Sequence, residues 1–127
     1  EVGKNVVRIA DNYDLVIFEY FLTDKTGHDQ NWHMAEKVIH TVERFIEGIH
    51  DAMDKTKHQL IITSDHGNLE NLTVGTHTTN LVPTYLYGKH TDSFKDKISA
   101  LCDTVPLLYE TLGVQIELKW ETVAKEE

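Results

Sequence analysis

The sequence predicts an α/β domain. Short β-branched and aromatic runs alternate with one long amphipathic helical stripe, in the order strand, helix, strand, strand, helix. Polar clusters fall at or near the strand ends, where sites form in α/β sheets. At 127 residues the chain suits one domain or part of one. Its first residue is Glu1, not Met, which suggests a processed chain or a piece of something longer.

Residues 2–11 place Val2, Val6, Val7 and Ala10 at helical spacing and read as the end of a helix. Residues 14–21, DLVIFEYF, are short, aromatic and β-branched, and read as a largely buried strand. The stretch TDKTGHDQN then reads as a loop leading into a helix. That helix is the clearest element. Ala35, Val38, Ile39, Val42, Phe45, Ile46, Ile49 and Met53 follow the three- and four-residue steps of one apolar stripe. His33, Glu36 and His40 are read as part of its solvated face.

QLIITSD reads as a second strand and VPTYLYG as a third, with Pro83 near its start, where a missing N–H is tolerated. A helix is expected over about residues 92–102, with Cys102, the only cysteine, as a buried inert thiol. Asp103 reads as the N-cap of a further helix that has Pro106 in its first turn and Gly113 just past its end. Val114, Ile116, Leu118 and Trp120 alternate with polar residues, the pattern of an amphipathic edge strand.

Composition excludes several function classes. A net charge of −9 argues against nonspecific nucleic-acid binding, which needs a basic surface. No apolar run approaches the ~20 residues of a membrane span, and no signal peptide is visible. One cysteine rules out an internal disulfide framework and is compatible with the cytoplasm, the expected location.

The candidate ligands are Asp24, His28, Asp65, His66 and His77. Carboxylate oxygen and neutral imidazole nitrogen suit divalent ions such as Mn or Zn. Asp24 and His28 are four apart, so a helical turn or a compact loop could bring both to one ion. Asp65 and His66 are adjacent at a strand end and could diverge there toward two ions; Gly67 allows close approach. Each cluster alone is weak. Three in order, each beside a predicted strand, are not.

TDKTGH, TSDHGN and THTTNLVPTYLYG resemble the carboxyl-terminal motifs of the alkaline phosphatase superfamily. The nearest branch is the metalloenzyme group of cofactor-independent phosphoglycerate mutases and phosphopentomutases; LCDTVPLLYETLGV is similar to that group's Asp-x-x-Pro helix. The resemblance covers residues 14–114. It implies an alkaline phosphatase-like three-layer α/β/α sandwich with a mostly parallel sheet, incomplete in this chain. Residues 1–127 would form a single domain, the carboxyl-terminal portion of a catalytic domain. Asp24, His28 and His77 match the ligands of one ion, and Asp65 and His66 match ligands of a second. The family's further aspartate and its Ser or Thr nucleophile have no counterpart here, nor does its substrate-binding insert domain.

The implied function is the metal-binding portion of a two-metal phosphoryl-transfer enzyme. Its partner would be a phosphorylated small molecule; the full-length enzyme would hold two divalent ions (Mn or Zn), of which this chain could hold one. Alternatives within the fold are a non-catalytic metal-binding or association module, and a sulfatase or phosphodiesterase. An exposed sheet edge suggests homodimerisation.

Overall fold

A computed structural model describes residues 1–115. Helix α1 (Val2–Ala10) is followed by α2 (Leu22–His28) and the 21-residue α3 (Trp32–Ala52). Strands β1 (Gln59–Ile62) and β2 (Tyr85–Gly88) come next, then a short α4 (Thr91–Phe94), a 3₁₀ turn (Leu101–Asp103) and α5 (Thr104–Leu112).

Helix α3 starts where Asn31, in extended conformation, accepts a bond from Met34 N at 3.0 Å. Its stripe turns Ala35, Val38 and Ile49 into the core, while His33, Glu36 and His40 stay exposed. Helix α1 crosses α3 at a backbone contact. A Cβ on Gly3 would collide with Phe45 O and lie 2.7 Å from Ile49 N, so only glycine allows this approach. Val7, Leu72, Phe94 and Leu107 are the other buried apolar side chains among the described residues.

The coarse expectation of a mixed α/β chain holds. The mostly parallel sheet does not appear among the described residues. The sheet there has two strands, β1 and β2, paired antiparallel from Gln59↔Gly88 to Ile62↔Tyr85.

Residues 14–21 form no strand. Among the described residues no strand pairs with them, and Ile17 is 81% exposed. TDKTGH is helical rather than a loop, forming most of α2.

The helix expected over 92–102 shrinks to α4. Asp103 Oδ2 accepts from Ser99 N at 2.9 Å and Ala100 N at 2.8 Å, and this turn ends any helical run. The same turn leaves Cys102 exposed, correcting the expectation of a buried thiol. Gly113 closes α5 in the left-handed region at φ 66°. The alternating stretch through Trp120 lies outside the described residues beyond position 115.

Candidate metal centre

One turn of α2 places Asp24 and His28 on the same face, four residues apart. Asp24 Oδ1 lies 3.4 Å from His28 Nε2 and 3.4 Å from His77 Nε2. The two Nε2 atoms are 3.2 Å apart. One ligand atom from each of the three residues lies within 4.8 Å of the others, although His28 and His77 are 49 positions apart in the chain.

The loop after β1 brings the second pair. His66 Nε2 sits 3.9 Å from Asp24 Oδ1 and 3.4 Å from Asp65 Oδ2. Asp65 and His66 therefore converge rather than diverge at the strand-end turn. The His66 ring stacks on His77, with centroids 3.6 Å apart and planes 17° from parallel. All five expected residues meet beside the end of β1; Asp65 is the outermost, with its side chain 76% exposed.

The return loop is held by backbone pairing. Gly67 and Thr78 form an isolated antiparallel bridge, with Thr78 N donating to Gly67 O at 2.8 Å. This bridge sets His77, which precedes Thr78, against His66, which precedes Gly67.

Hydrogen bonding fixes the tautomer of His28. Its Nδ1 lies 2.9 Å from Gly75 O, and a carbonyl only accepts, so Nδ1 carries the proton. In the neutral ring, Nε2 then turns its lone pair toward Asp24 and His77. A metal-ligating histidine has this arrangement, with the far N–H anchored on a carbonyl. The carboxylate and the two imidazole nitrogens face one another at 3.2–3.4 Å, close enough to share either a proton on His77 Nε2 or a cation placed among them. The donor set of one carboxylate and two imidazoles suits Mn or Zn.

Residues outside the converging cluster complete the surroundings. Asn68, almost fully buried, donates from Nδ2 to Asp24 Oδ1 at 3.1 Å. Glu70 accepts from Asn68 N at 2.6 Å, from Asn80 Nδ2 at 3.0 Å and from the Thr78 hydroxyl. The Thr78 bond first, then the Asn80 bond, lowers the Glu70 carboxyl from its usual 4.5 to about 2. Asn68 and Glu70 both lie in the DHGNLE stretch, but nothing in the sequence alone shows which donors a loop carboxylate will meet.

A family model of the metalloenzyme superfamily matches residues 1–116. The chain belongs to the metalloenzyme superfamily. Curated relatives bear the name 2,3-bisphosphoglycerate-independent phosphoglycerate mutase. The protein from Methylobacillus flagellatus is 32% identical over 114 residues, covering 84% of this chain and 22% of the relative. That from Shewanella sp. (strain W3-18-1) is 34% identical with the same coverage. That from Clostridium acetobutylicum is 30% identical, covering 83% of this chain and 22% of the relative. The chain thus spans about 22% of the length of the curated relatives it matches. No solved structure matches.

Proposed function

We propose that this chain is the histidine-bearing portion of the metal centre of a phosphoryl-transfer enzyme acting on phosphate monoesters, of the phosphoglycerate mutase type. The observation that carries the reading is the convergence of Asp24 Oδ1, His28 Nε2 and His77 Nε2 at 3.2–3.4 Å, with His28 Nδ1 anchored on Gly75 O. Asp24, His28 and His77 would hold one divalent ion, Mn or Zn. Asp65 and His66 would supply part of a second site. The nucleophile and the remaining ligands of that second site would come from a part of the catalytic domain outside this chain, which forms its carboxyl-terminal portion.

A bound divalent ion would neutralise phosphoryl oxygens and lower the pKa of a coordinated hydroxyl or water. The chain's own residues do the positioning. Gly75 O keeps the Nε2 lone pair of His28 aimed inward, and the amide of Asn68 steers the Asp24 carboxylate. A phosphorylated small molecule fits as substrate, in keeping with the relatives' name. Among the described residues no helix is long and apolar enough to cross a membrane; the proposed location is the cytoplasm.

The competing reading, a non-catalytic association module, draws support from large exposed apolar side chains such as Ile17 at 81% and Leu81 at 98%. Metal analysis separates the two. The protein dialysed against Mn²⁺ or Zn²⁺ should retain ion, and the double variant His28→Ala with His77→Ala should lose it. Equal, negligible metal in both proteins would end the metal reading. With phosphoglycerate as substrate, the 127-residue chain alone should show no turnover; robust activity would place the nucleophile inside it.

A further inference from the structure

We propose that Glu70 is a positioning residue of the metal centre, clamping the loop that carries His77 onto the loop that carries Asp65 and His66 and, through Asn68, aiming Asp24. The proposal rests on the metal reading of Asp24, His28 and His77 given above.

The geometry joins two loops at one carboxylate and reaches a third segment through Asn68. Oε2 accepts from Asn68 N at 2.6 Å, within the ligand loop itself. Oε1 accepts from Asn80 Nδ2 at 3.0 Å and from the Thr78 hydroxyl, both on the return loop. Asn68 then passes the constraint on, because its Nδ2 donates to Asp24 Oδ1 on α2. Both Glu70 oxygens are committed to these donors. Glu70 also stands outside the cluster of converging ligand atoms, so its role is to orient ligands rather than to be one.

Gly67 gives independent support. A Cβ there would collide with Thr78 Oγ1 and lie 2.7 Å from Glu70 Oε1. The missing side chain is the space in which the Thr78–Glu70 bond forms. That bond sits one residue from His77, and Gly67 sits one residue from His66, so it bears directly on the stacked pair of rings.

The chemistry needs an ionised carboxylate. Three donors require an acceptor-only group, and bonds to a charged acceptor are shorter and stronger than neutral ones. The same bonds keep Glu70 ionised down to about pH 2. A glutamine could still accept from Thr78 and Asn80 through its oxygen, but its NH₂ would face the N–H of Asn68. An alanine would lose every contact. Ion affinity should therefore fall in the order wild type, Glu70→Gln, Glu70→Ala.

The test titrates the full 127-residue chain with Mn²⁺ and with Co²⁺, and records the thermal midpoint of each metal-free protein. Glu70→Ala should weaken Mn²⁺ binding on the order of 10–100-fold, the usual effect of removing a group that orients metal ligands. Glu70→Gln should fall between, and the visible Co²⁺ band should shift in both. A merely structural Glu70 would lower the metal-free midpoint and leave affinity and spectrum unchanged, which overturns the proposal. If Glu70→Ala does not fold, Glu70→Gln and Thr78→Val decide, and unchanged affinity in both overturns it. Loss of binding in His28→Ala beside wild-type affinity in Glu70→Ala refutes the clamp alone. An absence of ion from the wild type removes the metal reading, and the clamp with it.

Discussion

Gly27 lies near the end of α2, where an alanine would ordinarily help. Replacing an interior helical glycine by alanine is worth about 1 kcal/mol in helix propensity. Here the new Cβ would overlap the side-chain amide of Asn68 and come within 3.2 Å of Leu69 N. Asn68 is only 5% exposed and cannot swing into solvent. Overpacking of this kind costs about 1–3 kcal/mol. The displaced amide also gives up its bond to Asp24, of a class worth about 1.5–3 kcal/mol. The Asp24 side chain is 40% exposed, so water recovers part of that bond and the lower figure applies. Gly27→Ala should therefore destabilise the metal-free chain by about 2 kcal/mol net. Urea denaturation should show a lower midpoint at unchanged slope. A double-mutant cycle gives the sharper check: in an Asn68→Ala background the side-chain overlap is gone and only the 3.2 Å approach to Leu69 N remains, so most of the loss caused by Gly27→Ala should disappear. A stabilising Gly27→Ala in the wild-type background, or an undiminished loss in the Asn68→Ala background, would refute the reasoning.

Three further outcomes are expected. Gly3→Ala should cost more than Gly27→Ala, because the obstructing atoms, Phe45 O and Ile49 N, belong to the α3 backbone; chemical denaturation of the two variants side by side checks the order. Metal affinity should fall on acidification, since only neutral imidazole ligates; Mn²⁺ titrations at pH of about 7.5 and about 5.5 bracket the reference imidazole value of ~6.5, and equal affinity at both would count against histidine ligation. Glu70 has a depressed folded-state pKa, so its contribution to stability is present above pH 4.5 and is lost as pH falls toward about 2. Glu70→Gln should accordingly show a shallower loss of stability than wild type across that interval, measured as denaturation midpoint against pH.

How much of this was legible in the sequence depends on how local each feature is. The α3 stripe needs only its own residues, and the long apolar face identified it. β1 and β2 were marked by β-branched and aromatic runs, and they pair. Residues 14–21 carry the same kind of signal and form no strand, because pairing is a property of two segments and not of one. α2 was missed for the opposite reason. Thr23, Asp24, Thr26 and Gly27 are poor to modest helix formers, and a seven-residue segment with four of them would not hold a helix alone. Burial of Thr26 and Gly27 holds this one in place. Cys102 was misjudged because the Asp103 turn breaks the apolar period just before it.

The candidate ligands were legible as residue types at strand ends, and their convergence follows from the Gly67–Thr78 bridge, which no spacing rule contains. What the geometry adds is a place for a cation. With Nδ1 of His28 committed to Gly75 O, the His28 nitrogen open to a cation is Nε2, facing His77 and Asp24. A proton there could be shared between the two rings at 3.2 Å, and a metal ion could be held by both rings and the carboxylate. The two cations occupy the same space and exclude each other. The expected loss of metal on acidification is therefore a competition at named atoms, and it should vanish in a His28→Ala, His77→Ala protein together with the site itself.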